Sequence, residues 1–73
     1  MDAFKVTYRA LRSAPVNLES MEFLLVSDNR LRALSKAEDG FHSEIKGLAD
    51  HYGYPVKYFM NFYGKPEIEE GIK

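Results

Sequence analysis

The chain has 73 residues and no cysteine, which leaves room for one small domain with a thin core and excludes disulfide or thiolate-metal bracing. With 45% hydrophobic, 14% aromatic and 29% charged residues, composition excludes a disordered chain, and no apolar run reaches the length of a membrane span. The net charge is −1, without the basic excess of a dedicated nucleic-acid binder.

The first segment, residues 3–13, has Asp2 as an N-cap and places Phe4, Tyr8 and Leu11 on one helical face. Phe4, Val6 and Tyr8 also alternate as in a strand, and Val6 and Thr7 are β-branched, so a short strand competes with the helix. The second segment opens at Asn17, a good N-cap, with Val16 poised to staple onto Met21. Leu18, Met21, Leu24 and Leu25 then give an apolar stripe of helical period that ends near Val26. Ser27 or Asp28 caps a third helix running to about Ala37, with Leu31 and Leu34 inward and Arg30, Arg32 and Lys36 outward. Gly40 is placed to end it in a left-handed conformation.

A fourth helix starts at Ser43, buries Ile45, Leu48, Ala49 and Tyr52, and closes at Gly53. Pro55 opens a fifth helix at a position where proline is tolerated, and that helix stops at Gly64. The stretch 48–64, a helix, a glycine turn and a second helix, is the clearest signal in the chain. These readings give an all-α fold, a compact bundle of about five short helices over residues 1–64, each helix stabilised by packing on the others. Residues 65–73 read as a frayed acidic tail.

The residues 48–59, Leu-Ala-Asp-His-Tyr-Gly-Tyr-Pro-Val-Lys-Tyr-Phe, resemble the Leu-Ala-x-x-x-Gly-Val-x-x-x-Tyr-Leu segment of Cro/cI-type (XRE-like) helix-turn-helix domains. In that family a similar string forms the DNA-reading motif and recurs as the closing helix pair. Its late position here favours the closing pair. The reading motif then falls on residues 24–34, where Leu24, Val26, Leu31 and Leu34 match the apolar positions of the family's Leu-Gly-Val-Ser-x-x-x-Ile-x-x-Ile. The resemblance implies that Asn29 and Arg30 face base edges in the major groove and that Arg32, Lys36 and Arg12 hold phosphates, with Arg9 as an alternative. Charge agrees in part, because residues 1–36 carry six basic side chains against four acidic ones. In the other placement 55–63 is the reading helix, with Lys57, Tyr58 and Asn61 as its polar groups.

Six of the ten aromatic residues lie between Tyr52 and Tyr63. Val56, Phe59, Met60 and Tyr63 share one face of the fifth helix, while Tyr54, Tyr58 and Phe62, spaced by four, line another. A helix apolar on two sides needs cover on both, so Tyr54, Tyr58 and Phe62 are the candidate protein interface, for a homodimer or another protein. Two functions follow as expectations. One is a small transcription regulator of phage, prophage or plasmid type that binds duplex DNA. The other is a small phage-type protein that binds bacterial RNA polymerase and inhibits or redirects it. No enzyme, metal or cofactor is expected: His42 and His51 are too far apart for one helix face, and no phosphate-binding glycine loop is present. The N-terminus lacks a basic segment followed by an apolar one, so a cytoplasmic protein with no membrane contact is expected.

Overall fold

Alternation decides the N-terminal segment. In the computed structural model, which describes residues 2–11 and 18–71, Phe4, Val6 and Tyr8 are buried and the residues between them are not. They belong to strand β1 (Asp2–Tyr8), not to a helix. Strand β2 (Met21–Ser27) pairs antiparallel with it over its whole length, from Asp2 opposite Ser27 to Tyr8 opposite Met21. A four-residue strand β3 (Glu67–Glu70) pairs antiparallel with the other edge of β1, in the sheet order β2-β1-β3. Between β2 and β3 run a long helix α1 (Arg30–Tyr52) and a short one, α2 (Val56–Met60).

The fold is therefore α+β, with one helical layer on one face of a three-stranded antiparallel sheet, and the all-α bundle is corrected. The second expected helix is β2. Its inward residues Met21, Phe23 and Leu25 alternate with Glu22, Leu24 and Val26 on the open face. Apolar side chains on both faces hid that alternation and counterfeited a helical stripe. The expected cap at Asn17 and staple at Val16 lie outside the described residues. The acidic stretch expected to fray supplies β3: Ile68 turns toward the core, and Glu67 and Glu69 stay outside beside Arg9 and Lys5.

The third and fourth expected helices are one. Ala33, Ala37, Phe41, Ile45 and Ala49 are all buried at spacings of four, an unbroken stripe that carries the helix across Gly40. Gly40 is an interior residue where helix and sheet touch: a Cβ there would lie 2.8 Å from Phe23 Cε1. The helix ends at Gly53, whose φ of 75° is the left-handed value that glycine adopts without strain. The core joins Phe4, Val6 and Tyr8 of β1 to this stripe, with Phe59 and Tyr63 closing its far end. Tyr8 stacks on Phe41 with ring centroids 4.0 Å apart, and Phe41 meets Tyr63 edge-on at 5.3 Å.

The two glycines inside α1 have opposite expected responses. At Gly47 a Cβ would meet nothing within 4 Å, so Gly47→Ala recovers helix propensity and stabilises by about 0.8–1 kcal/mol. Gly40→Ala has the same gain in propensity but drives its methyl into the Phe23 ring, and a net loss is expected. Thermal unfolding should rank Gly47→Ala above the parent and Gly40→Ala below it. The reverse order would place Gly40 away from β2.

Candidate functional site

The residues expected to read DNA cluster at the start of α1, and there most of them serve the fold. Asn29 is the N-cap, its Oδ1 accepting from the Arg32 N–H at 2.9 Å. Arg32 pairs with Asp28 at 3.2 Å. The Lys36 Nζ donates to the Val26 carbonyl at 3.1 Å. Arg30 is exposed at the first helical position, and Arg12 lies outside the described residues. Arg9, the other phosphate candidate, is held by Glu67. The element that leads into the turn at Ser27–Asn29 is strand β2, so no helix-turn-helix is formed by residues 24–34. The expected reading helix instead lies on the sheet through Ala33 and Ala37.

The aromatic residues expected at an interface are brought together. The Gly53 cap turns the chain, with Gly53 and Tyr54 both donating their N–H to the Ala49 carbonyl. Pro55, with φ of −63°, starts α2 directly afterwards. The α2 turn then sets Tyr54 and Tyr58 in a stack, ring centroids 4.8 Å apart and 24° from parallel. Phe62 meets Tyr58 edge-on at 5.2 Å. Beneath them Phe59 is fully buried and touches Tyr52, Tyr54 and Tyr58 with its ring. The result is an aromatic ladder fixed to the core through Phe59, with Tyr54 49% exposed and Tyr58 and Phe62 half-buried. Regular helix covers only Val56–Met60, so Phe62 joins the ladder from the turn that follows. No protein-family model, curated protein or solved structure matches this chain.

Beside the ladder, a cleft of about 280 Å³ opens between the sheet and the helices. Its wall carries Tyr8, Phe41, Met60 and Tyr63, and the exposed Glu38 and His42 line it 3.7 Å from one another. Among the described residues no group of three His, Asp or Glu side chains is placed to hold a metal. Nor, among the described residues, is any helix long and apolar enough to cross a membrane. Burial, and secondarily the negative charge of Glu38, raises the phenol pKa of Tyr8; burial and then Glu19 raise that of Tyr63, whose hydroxyl donates to the Glu19 carbonyl. Both folded pKa values thus exceed the ordinary value near 10. Their contribution to stability is complete below that value and is lost as pH rises through the folded pKa values. In an ultraviolet titration Tyr8 and Tyr63 should ionise above the ordinary value, with the unfolding midpoint falling over the same range. Ionisation of Tyr8 and Tyr63 at the ordinary value would refute their burial.

Sequence reasoning missed the open face of β2, where Leu24 is 73% and Val26 58% exposed. It assigned Leu24 to an inward stripe. The signal present was the strict two-residue spacing of Met21, Phe23 and Leu25 opposite a β1 that already alternated.

Proposed function

We propose that this chain is a non-catalytic protein-binding module that docks a partner protein through the ladder of Tyr54, Tyr58 and Phe62. One observation carries the reading: Tyr58 contacts both Tyr54 and Phe62 in a row of rings, exposed at Tyr54 and half-buried at Tyr58 and Phe62, fixed from below by the buried Phe59. Tyrosine gives large, stiff contact area with a polar tip, which is why it is enriched among the residues that dominate interface energies. Rings that are already stacked lose little side-chain entropy on binding. The fitting partner presents an apolar groove with hydrogen-bond acceptors along its rim for the tyrosine hydroxyls. Bacterial RNA polymerase is the partner to test first, a choice that rests on the small size and near-neutral charge of the chain and on no motif.

The test compares the parent with Tyr54→Ala/Tyr58→Ala, each immobilised and exposed to purified bacterial RNA polymerase and to bacterial lysate. The fold of both is checked by circular dichroism. Loss of two interface anchors at about 2 kcal/mol each predicts at least a 100-fold weaker complex for the variant. A partner held equally by both proteins defeats the assignment to the ladder. Retention of nothing by the parent defeats the docking reading itself.

A further inference from the structure

Backbone polarity at the sheet edges points to a second interaction surface. The Gly71 N–H donates to the Ala3 carbonyl and the Gly64 N–H to the Arg9 carbonyl, so the odd-numbered residues of β1 aim their backbone groups at the β3 side. Alternation then aims Phe4, Val6 and Tyr8 at β2, where they bond Leu25, Phe23 and Met21. The backbone groups of Glu22, Leu24 and Val26 consequently point away from the sheet, along an edge that no described residue pairs. Lys36 confirms the direction, because its amine reaches the Val26 carbonyl from that side.

The two edges of the sheet are protected differently. β3 is four residues long and carries Glu67, Glu69 and Glu70, so pairing with a copy of itself would bring acid against acid. β2 is seven residues long and holds one charge, Glu22, which lies 3.7 Å from Lys5. Among the described residues it is blunted by the Lys36 amine alone, which covers the Val26 carbonyl, a group with a second lone pair to share, and leaves Leu24 and Glu22 open. Beside this edge stand the exposed side chains of Leu24 and Val26. An edge of this kind takes an extended strand, and the sequence Met-Glu-Phe-Leu-Leu-Val-Ser suits its own antiparallel copy. Centred on Leu24, the pairing sets Leu24 against Leu24, Phe23 against Leu25, Glu22 against Val26 and Met21 against Ser27. No like charges meet.

We propose that two copies of this chain join through their β2 edges into one six-stranded antiparallel sheet, with the two-fold axis passing at Leu24. The axis stands perpendicular to the sheet, so both α1 helices lie on the same face. Every in-plane direction reverses across the axis, so the two aromatic ladders project from opposite ends and the dimer presents two docking ends. The surface is separate from the ladder, and either can fail without the other.

The test is sedimentation equilibrium on the full chain and three variants. The parent should dimerise with rising concentration. Leu24→Pro removes an N–H that the folded monomer leaves unused, and should weaken dimerisation at least 10-fold. Leu24→Lys and Leu24→Glu each bring like charges together at the axis and should be monomeric, while their equimolar mixture should recover the dimer. Leu24→Glu faces Lys5 across the strands and is the variant surest to keep its fold. A parent that stays monomeric up to about 1 mM, near a dissociation free energy of 4 kcal/mol, overturns the proposal. So does a dimer that survives Leu24→Pro and Leu24→Glu. Failure of the mixture to recover the dimer overturns the register at Leu24.

Discussion

Phe41→Ala should leave the chain without a cooperative unfolding transition. Phe41 is 5% exposed and occupies the middle of the α1 stripe, with Tyr8 stacked at 4.0 Å and Tyr63 edge-on at 5.3 Å. Removing a buried phenylalanine costs about 3–5 kcal/mol, and the two aromatic contacts add roughly 1 kcal/mol. A domain of this length has a total stability of about 4–11 kcal/mol at roughly 0.05–0.15 kcal/mol per residue. The loss is therefore comparable with the whole. Urea titration followed by circular dichroism should show a sharp transition for the parent and a shallow, featureless decline for the variant. Leu31→Ala provides the contrast. A helical bundle would bury Leu31, whereas here it is 79% exposed, so its truncation should shift stability by no more than about 0.5 kcal/mol. Equal damage from the two substitutions would restore the bundle and remove the sheet.

What the sequence made legible was local. The alternation of Phe4, Val6 and Tyr8 is complete within β1, and the Gly53–Pro55 punctuation marks the end of α1 and the start of α2. The spacing of Tyr54, Tyr58 and Phe62 pointed to one row of rings, although regular helix covers only Val56–Met60 and Tyr54 and Phe62 reach Tyr58 from the turns on either side. What stayed hidden depends on partners distant in the chain. β2 reads as a strand only once β1 is known to lie beside it, since Leu24 and Val26 spoil its polar face. Gly40 reads as a stop until Phe23 is seen to occupy the space above it. The roles of Asn29, Arg32 and Lys36 could not be separated from DNA contacts by residue type, because capping, ion pairing and phosphate binding use the same chemistry. β3 had no strand signal at all: Glu-Ile-Glu-Glu has poor strand propensity, and only its pairing with β1 defines it.

That dependence makes a chain ending at Lys65 the decisive probe of the sheet. In a protein whose last residues fray, removing 66–73 changes stability by a few tenths of a kcal/mol. Here the same deletion strips one edge of β1 along Phe4, Lys5, Val6 and Thr7. It also removes Ile68 from its contact with the core and uncovers Phe4 and Val6, which are 1% and 0% exposed. Each lost ladder bond counts about 1 kcal/mol net, and Ile68 with the newly wetted apolar surface about 1–2 kcal/mol more. The ion pairs of Lys5 with Glu69 and of Arg9 with Glu67 are exposed and add little. The total, roughly 3–6 kcal/mol, is a large share of the domain's stability of about 4–11 kcal/mol and should lower the melting temperature by more than about ten degrees. Glu67→Gln/Glu69→Gln/Glu70→Gln isolates the charge: it keeps β3 and should melt close to the parent. A truncated chain that melts within a few degrees of the full one reduces the sheet to β1 and β2. If the deletion lowers the melting temperature and the triple substitution does not, then backbone pairing and the packing of Ile68 account for the loss.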